Sequence, residues 1–284
     1  MKTTVVALRE ASVQAAVGSA GRKPSVSALA SEPAYDGDIA SWEKAAGKLW
    51  QEKKLPKSGL CVVLPDHAVT VRVLTAPQMP PKQLQELVDH EMTVRGEEPV
   101  AADYQLLGTD AEGKLQLLAC ACRRTVMEEY LAMFSRLGLR VSSVTTALAG
   151  YVRLLAAMDE MRGKTCIWLL FERGSVLSLL VEAGAYRYSG RTQIFSEAGT
   201  LDFAAEVARN VSGTVQFHTA SRSEHVIDTV YYAGCDDGDF AACAPELSAM
   251  GLRAEPLPTP ECLRSLPGRA RMGDWIDCVS ALLR

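Results

Sequence analysis

The chain lacks a dominant charge: 30 lysines and arginines stand against 34 aspartates and glutamates, for a formal net charge of -4. Nothing global steers it to nucleic acid or to an anionic membrane, and the basic pairs Lys53–Lys54 and Arg123–Arg124 read as solvated faces. No apolar run approaches the roughly 20 residues of a membrane-spanning helix. The opening "MKTTVVALREAS" meets polar residues too soon for a signal-peptide core. The expectation is a soluble, cytoplasmic chain.

Motifs of common chemistries are also missing. There is no G-x-x-x-x-G-K-[ST] phosphate loop. The four histidines, His67, His90, His218 and His225, are isolated, and no G-x-S-x-G elbow accompanies them. Eight cysteines are scattered through apolar runs such as "GLCVVLP" and "TCIWLLF" and read as buried thiols rather than a disulfide framework. Cys120 and Cys122 share a strand face, yet no further ligands follow at zinc spacing. "CDDGDF" lacks the distal glutamate of a calcium loop and reads as a turn into a helix N-cap.

What is present is a core and a repeat. At 48% hydrophobic, 284 residues hold ample core material for one large or two packed domains. "VVALREASVQAAVG" reads as two strands around a turn, and Val26–Ala30 as a third. A helix follows from about Asp38 to Lys53, and then the buried strand "GLCVVLP" and the half-wet strand "AVTVRVLTAP". Prolines 77, 80 and 81 precede a helix carrying Leu84, Leu87, Val88 and Met92. "DYQLLGTD" and "KLQLLACAC" form a hairpin around "DAEG", and "RRTVMEEYLAMFSRLG" is a helix stopped by Gly138. "LRVSSVTT" is a strand with the helix "ALAGYVRLLAAMDEM" behind it. From Lys164 the pattern begins again, with three strands and a long helix from about Glu197 toward His218. The strand "HVIDTVYYAG", the short strand "LRAEPL" and the closing helix "RMGDWIDCVSALLR" complete it.

This arrangement resembles the actin-like ATPase fold, an α/β (α+β) architecture of two similar halves with an inserted strand-and-helix subdomain as in PilM and FtsA. More narrowly, "LPDHAVTVRVLTAPQMPPKQLQELVDHEM" and "LQLLACACRRTVMEEYLAMFSRLGLRVSSVTTALAGYVRLL" are similar to the PilM family of type IV pilus assembly and the related cytoplasmic part of GspL in type II secretion. The resemblance implies a first half over 1–63 and 141–163, an insertion over 64–140, a second half over 164–270 and a closing helix over 271–284.

In active members of that fold the first hairpin turn carries an acid and a glycine for a metal-bound water and a phosphate. The resemblance places Ala7 at the acid, Arg9 at the glycine and Gln14 at the lysine; Leu169 and Phe171 fall at the second acid and glycine. At the third site Gly234 survives and Cys235 replaces its partner. Alanine cannot hold hydrated magnesium, and an arginine side chain fills the gap glycine leaves for phosphate. The expectation is a pseudo-ATPase scaffold without cofactor or metal, ATP and magnesium being the alternative. Its implied partners are the cytoplasmic tail of a PilN-like bitopic membrane protein and other platform components, at the inner face of the cell membrane, with no nucleic acid and a homodimer left open. A working ATPase with unusual loops and a nucleotide-linked filament former are the competing readings.

Overall fold

A computed structural model describes residues 2–93, 98–110 and 112–283. Ala111 of the expected Asp-Ala-Glu-Gly turn and the final Arg284 lie outside these residues. Two five-stranded sheets of the same topology carry the chain. In the first, β1 (Lys2–Arg9), β2 (Ser12–Ser19) and β3 (Ser25–Pro33) form an antiparallel meander, and helix α1 (Ile39–Lys53) returns the chain to β4 (Ser58–Leu64), parallel to β1. The Asp38 carboxylate caps α1 by accepting from Ser41 N–H at 2.8 Å.

A three-stranded antiparallel sheet interrupts this half. It is built from β5 (Thr70–Ala76), β6 (Val100–Thr109) and β7 (Leu115–Arg123), with β7 central. Helix α2 (Pro81–Met92), begun by Pro81 at its first turn, lays Leu84, Val88 and Met92 against it. Helix α3 (Arg124–Arg136) then leads to β8 (Arg140–Thr146), which pairs in parallel with β4, and α4 (Ala147–Ala157) follows. Although the expected insertion ran over 64–140, α3 belongs to the first half: Tyr130, Met133 and Phe134 pack in one core with Trp42, Leu49 and Trp50 of α1.

The second half repeats the plan. β9 (Cys166–Glu172), β10 (Ser175–Glu182) and β11 (Ala185–Gln193) form the meander. Helix α5 (Leu201–Ala220) crosses to β12 (Thr229–Ala233), and the short α6 (Asp237–Ala241) and α7 (Ala244–Ala249) lead to β13 (Arg253–Pro256). Helix α5 begins four residues after the expected Glu197, because the Thr200 hydroxyl caps it by accepting from Phe203 N–H at 3.2 Å. Asp236 caps α6, as the sequence of that turn predicts, accepting from Gly238 N–H at 3.0 Å. The closing segment is a 3₁₀ turn over Met272–Trp275 and one short helix, α8 (Ile276–Ser280), rather than a helix through 271–284.

The period-2 alternation of strand side chains divides the core into layers. Val5 and Ala7 of β1 and Trp168 and Leu170 of β9 face inward, onto α4 and α8, which pack together between the two sheets. Val6 and Leu8 face outward to α1 and α3, whereas Ile167, Leu169 and Phe171 face outward to α5, α6 and α7. The result is five layers, helices, sheet, two helices, sheet, helices, with the ends of β1 and β9 meeting at one edge of the middle layer.

Candidate functional site

β1 and β9 each run out of their sheet into a tight hairpin, and registers fix which side chains face the gap between them. Arg9 pairs with Ser12 across the first turn, and Glu172 pairs with Ser175 across the second. Arg9 and Glu172 are therefore equivalent positions, both on the inward face. Two residues back on the same face stand Ala7 and Leu170. The expected cleft positions Leu169 and Phe171 are one residue out of register: their side chains enter the outer core, where Phe171 packs on Phe203 and Phe240 at ring separations of 5.8 Å. A slip of one residue moves a strand's side chains to the other face.

At this edge the protein binds itself. Arg9 Nε lies 3.5 Å from Glu172 Oε1 and 3.3 Å from Asp277 Oδ2 of α8. Its two terminal nitrogens donate to the carbonyl oxygens of Asp274 (3.4 Å) and Phe171 (3.3 Å). Gln14 also donates to the Asp274 carbonyl, at 3.0 Å. Glu172 accepts the backbone N–H of Glu10 at 2.7 Å and the Arg191 guanidinium at 3.2 Å. Arg191 in turn bonds Asp66, just beyond β4, and Tyr151 of α4 donates to Asp277. One polar network thus joins both halves and the closing segment.

The charges are tuned accordingly. Burial by itself lowers the Arg9 guanidinium, but the carboxylates of Asp277 and Glu172 outweigh it and hold the group more firmly protonated than usual. Arg191 follows the same balance, with Asp66 and Glu172 prevailing over burial. Burial raises the Tyr151 phenol well above its ordinary value, and neighbouring Asp277 raises it further.

The space left beside this network is about 110 Å³, below the roughly 300–1,000 Å³ of small-molecule sites. Magnesium takes oxygen ligands, and Ala7, only 1% exposed, supplies none. A phosphate at a hairpin turn needs backbone N–H donors, yet that of Glu10 is held by a carboxylate. Gly234 ends β12 at φ +77°, and a Cβ there would stand 2.3 Å from the Phe171 carbonyl oxygen, so close backbone contact within the protein explains this glycine. Gly273 of the closing segment packs in turn on Ala233 and Gly234. Burial first, then Asp239 and Asp236, push the adjacent Cys235 thiol up to about 11. Neither the Ala7 side chain nor the Glu10 N–H is thus free to hold magnesium or phosphate, and the carboxylates that line the space, Asp66, Glu172 and Asp277, are engaged by Arg191, Arg9 and Tyr151. Among the described residues no group of three or more His, Cys, Asp or Glu is placed to hold a metal ion.

Ala7, Arg9, Gln14, Phe171 and Gly234 are thus neighbours in one site, through backbone or side chain, while Leu169 points away from it. Sequence reasoning missed Glu172, Arg191, Asp66, Tyr151, Asp274 and Asp277. The last two sit over 260 residues from Arg9 in the chain, and only their presence as acids in the closing segment hinted at a role.

A second feature lies beside the inserted sheet. A groove of about 200 Å³ separates it from the first half, lined by residues 101–105 of β6, 144–146 of β8, and Cys120, Ala149 and Arg153. β6 and β8 are each the outermost strand of their sheet; on β6 the Val100 and Ala102 carbonyls and the Tyr104 N–H are bonded to the side chains of Arg124, Gln85 and Asp103, so β8 is the edge that offers backbone groups to an added strand. Cys120 and Cys122, two residues apart on the same face of β7, both line this groove, Cys120 beside Thr146 and Cys122 where the groove meets the core of the first half.

The two repeated sheets, the helices between them and the insertion after β4 define an actin-like ATPase fold. Solved structures of low sequence identity share it over nearly the whole chain. PilM in a PilM–PilN type IV pilus biogenesis complex matches 99% of this chain and 98% of its own, with a TM-score of 0.77 at 17% identity. The cytoplasmic domain of EpsL, an inner-membrane component of the type II secretion system of Vibrio cholerae, covers 99% and 95% with a TM-score of 0.54 at 13% identity. A Bacteroides thetaiotaomicron protein described as having an actin-like ATPase fold and unknown function covers 99% and 95% with a TM-score of 0.56 at 10% identity. At these identities the likeness is one of fold, and the expected PilM-like and GspL-like architecture is present. No protein-family model and no curated protein matches the sequence. No helix among the described residues is long and apolar enough to cross a membrane.

Proposed function

We propose that this chain is a non-catalytic, actin-like scaffold of a type IV pilus or type II secretion assembly platform, held at the cytoplasmic face of the membrane through a PilN-like partner. The observation that carries the reading is the occupation of the phosphate position by the protein's own groups. The Glu172 carboxylate takes the Glu10 N–H at 2.7 Å and the Arg9 and Arg191 guanidiniums, which is the donor set an anion would use. A cleft closed this way is a fixed joint between the halves rather than a nucleotide switch.

A surface suited to a partner is the groove between β6 and β8, where an extended cytoplasmic tail can add to a strand edge. That PilM is solved with PilN supports this assignment by analogy of fold. Titration with a fluorescent ATP analogue and magnesium is expected to give no saturable binding; micromolar binding and hydrolysis overturn the scaffold reading. Fluorescence anisotropy with the cytoplasmic tail peptides of PilN-like proteins is expected to detect binding, and its absence for all of them removes the peptide-docking part.

A further inference from the structure

Helix α4 presents an unusual face to the groove. Ala149, Arg153, Ala156 and Ala157 follow one another at i, i+4, i+7 and i+8, so they share one side of the helix. Three of the four are alanines, which leave room above the helix; the fourth is its only ionisable residue apart from Tyr151, on the buried side. Arg153 and Gln105 both line the 200 Å³ groove and also a larger cavity of about 650 Å³, bounded by Arg22, Ala156, Asp159, Cys262 and Leu283, where Asp159 is paired with Arg162. Arg153 and Gln105 thus form a wall shared by the two spaces.

In that shared wall Arg153 is half-buried and poorly satisfied. Its terminal nitrogens reach only neutral oxygens, Thr145 Oγ1 at 3.2 Å and Gln105 Oε1 at 3.5 Å, and its Nε has no partner. Burial lowers its guanidinium, and the only groups that raise it are the Cys61 and Cys120 thiols. Among the described residues, the other arginines with largely buried side chains, Arg9 and Arg191, each hold two carboxylates. A guanidinium desolvated without a counter-ion is costly unless something supplies one.

We propose that the segment docked in the β6–β8 groove is an extended peptide that brings a single aspartate or glutamate to Arg153. The inference rests on the peptide-docking reading above and adds its chemistry: the β8 edge takes the backbone, the alanine face admits the side chains, and Arg153 fixes the register through a bidentate pair. Among the described residues lining the β6–β8 groove it is the sole cation, and Asp103 the sole carboxylate, exposed and bonded to its own strand at Tyr104 N–H. One cation matches one carboxylate on an otherwise neutral peptide better than a phosphate or lipid headgroup, which recruits several cations.

The test uses the full chain. A display library of random 12-residue peptides is selected in parallel on the wild type, Arg153→Gln and Arg153→Glu, with hydrogen exchange used to locate the bound peptide. The wild type is expected to enrich peptides with one fixed acidic position and to gain protection in β8. Arg153→Glu is expected to replace that acid with lysine or arginine. Converting the acid of an enriched peptide to its amide should weaken binding to the unaltered protein about 10–100-fold, which requires no variant to fold. Equal affinity for acid and amide peptides, or the same consensus on all three proteins, overturns the pairing while leaving docking intact. Failure to enrich any peptide, or protection confined to another surface, overturns the docking reading and the pairing with it.

Discussion

Arg9 and Glu172 occupy equivalent places in the two halves, each the last residue of the first meander strand, and they meet 3.5 Å apart across the gap. An internal repeat would ordinarily set like against like at such a junction. Opposite charges there make the two hairpins complementary, and the Glu10 N–H bond to Glu172 adds a second tie at the same point. Asp277 then draws the closing segment onto the pair. The junction binds the Glu172 anion with the protein's own donors.

Removing the arginine should therefore cost more than losing one surface ion pair. The side chains of Arg9 and Glu172 are 13% and 18% exposed, and Asp277 only 8%, so Arg9→Ala leaves two largely buried carboxylates facing each other. A loss of about 2–4 kcal/mol in urea denaturation is expected. Glu172→Gln should cost less, because it relieves repulsion as well as a bond. The double variant should lose at least about 1 kcal/mol less than the sum of the two. Strict additivity would mean that the two hairpins do not lean on each other.

Gly234 offers a separate test of the same closure. Ala at Gly251 (φ +75°) meets no atom within 4 Å, so only backbone strain of about 1 kcal/mol is expected. Ala at Gly234 (φ +77°) adds a clash with the Phe171 carbonyl at 2.3 Å, which is backbone and cannot swing away. Gly234→Ala should be less stable than Gly251→Ala by about 2 kcal/mol or more, measured as the shift in thermal midpoint of the two variants side by side.

Much of this was legible in the residues, and the failures have definite causes. The repeat of a meander and a helix emerged from apolar alternation, because each central strand is buried on both faces and its turns are marked by polar or glycine residues. The affiliation of α3 did not: a stripe of Tyr130, Met133 and Phe134 says that a helix has a buried side, not which sheet lies beneath it. That the first turn has no acid at Ala7 and no glycine at Arg9 is legible in the residues, but the role of Glu172 is not, because a continuous apolar run such as "CIWLLF" contains no sign of which residues face inward. Asp274 and Asp277 act through a contact that spans almost the entire chain. Arg153 was open to view as the lone basic residue in "ALAGYVRLLAA", and its missing counter-ion emerges only from the packing of the insertion against α4.

Restoring the nucleotide-fold residues is expected to damage the protein before it creates chemistry. Ala7 is 1% exposed on the inward face, beside the closing segment with Asp277 and Cys278, so Ala7→Asp buries a carboxylate next to existing acid. Arg9→Gly in the same molecule withdraws the cation that would neutralise both. The double variant should lose several kcal/mol by urea denaturation and show no phosphate release from ATP and magnesium. Hydrolysis above the wild-type background would mean that the second hairpin still supplies a working phosphate site.

Alkaline pH should reveal the buried thiols. Burial pushes Cys166 and Cys243 up from the ordinary 9.0 to about 12 each, so between these values the folded chain keeps protons that the unfolded chain has released. With more protons on the native state, unfolding free energy falls as pH rises, by about 1.4 kcal/mol per pH unit for each thiol. Their contribution is fully present below about pH 9 and lost progressively toward pH 12, and the buried Tyr151 phenol acts in the same direction above its own ordinary value. Urea denaturation at pH 8, 9.5 and 10.5 should show this decline. Cys166→Ala, which loses a small side chain, should start from a lower stability at pH 8 yet fall less steeply, by about one proton's worth of slope. An unchanged slope in that variant would mean that Cys166 ionises as readily in the folded protein as in the unfolded chain.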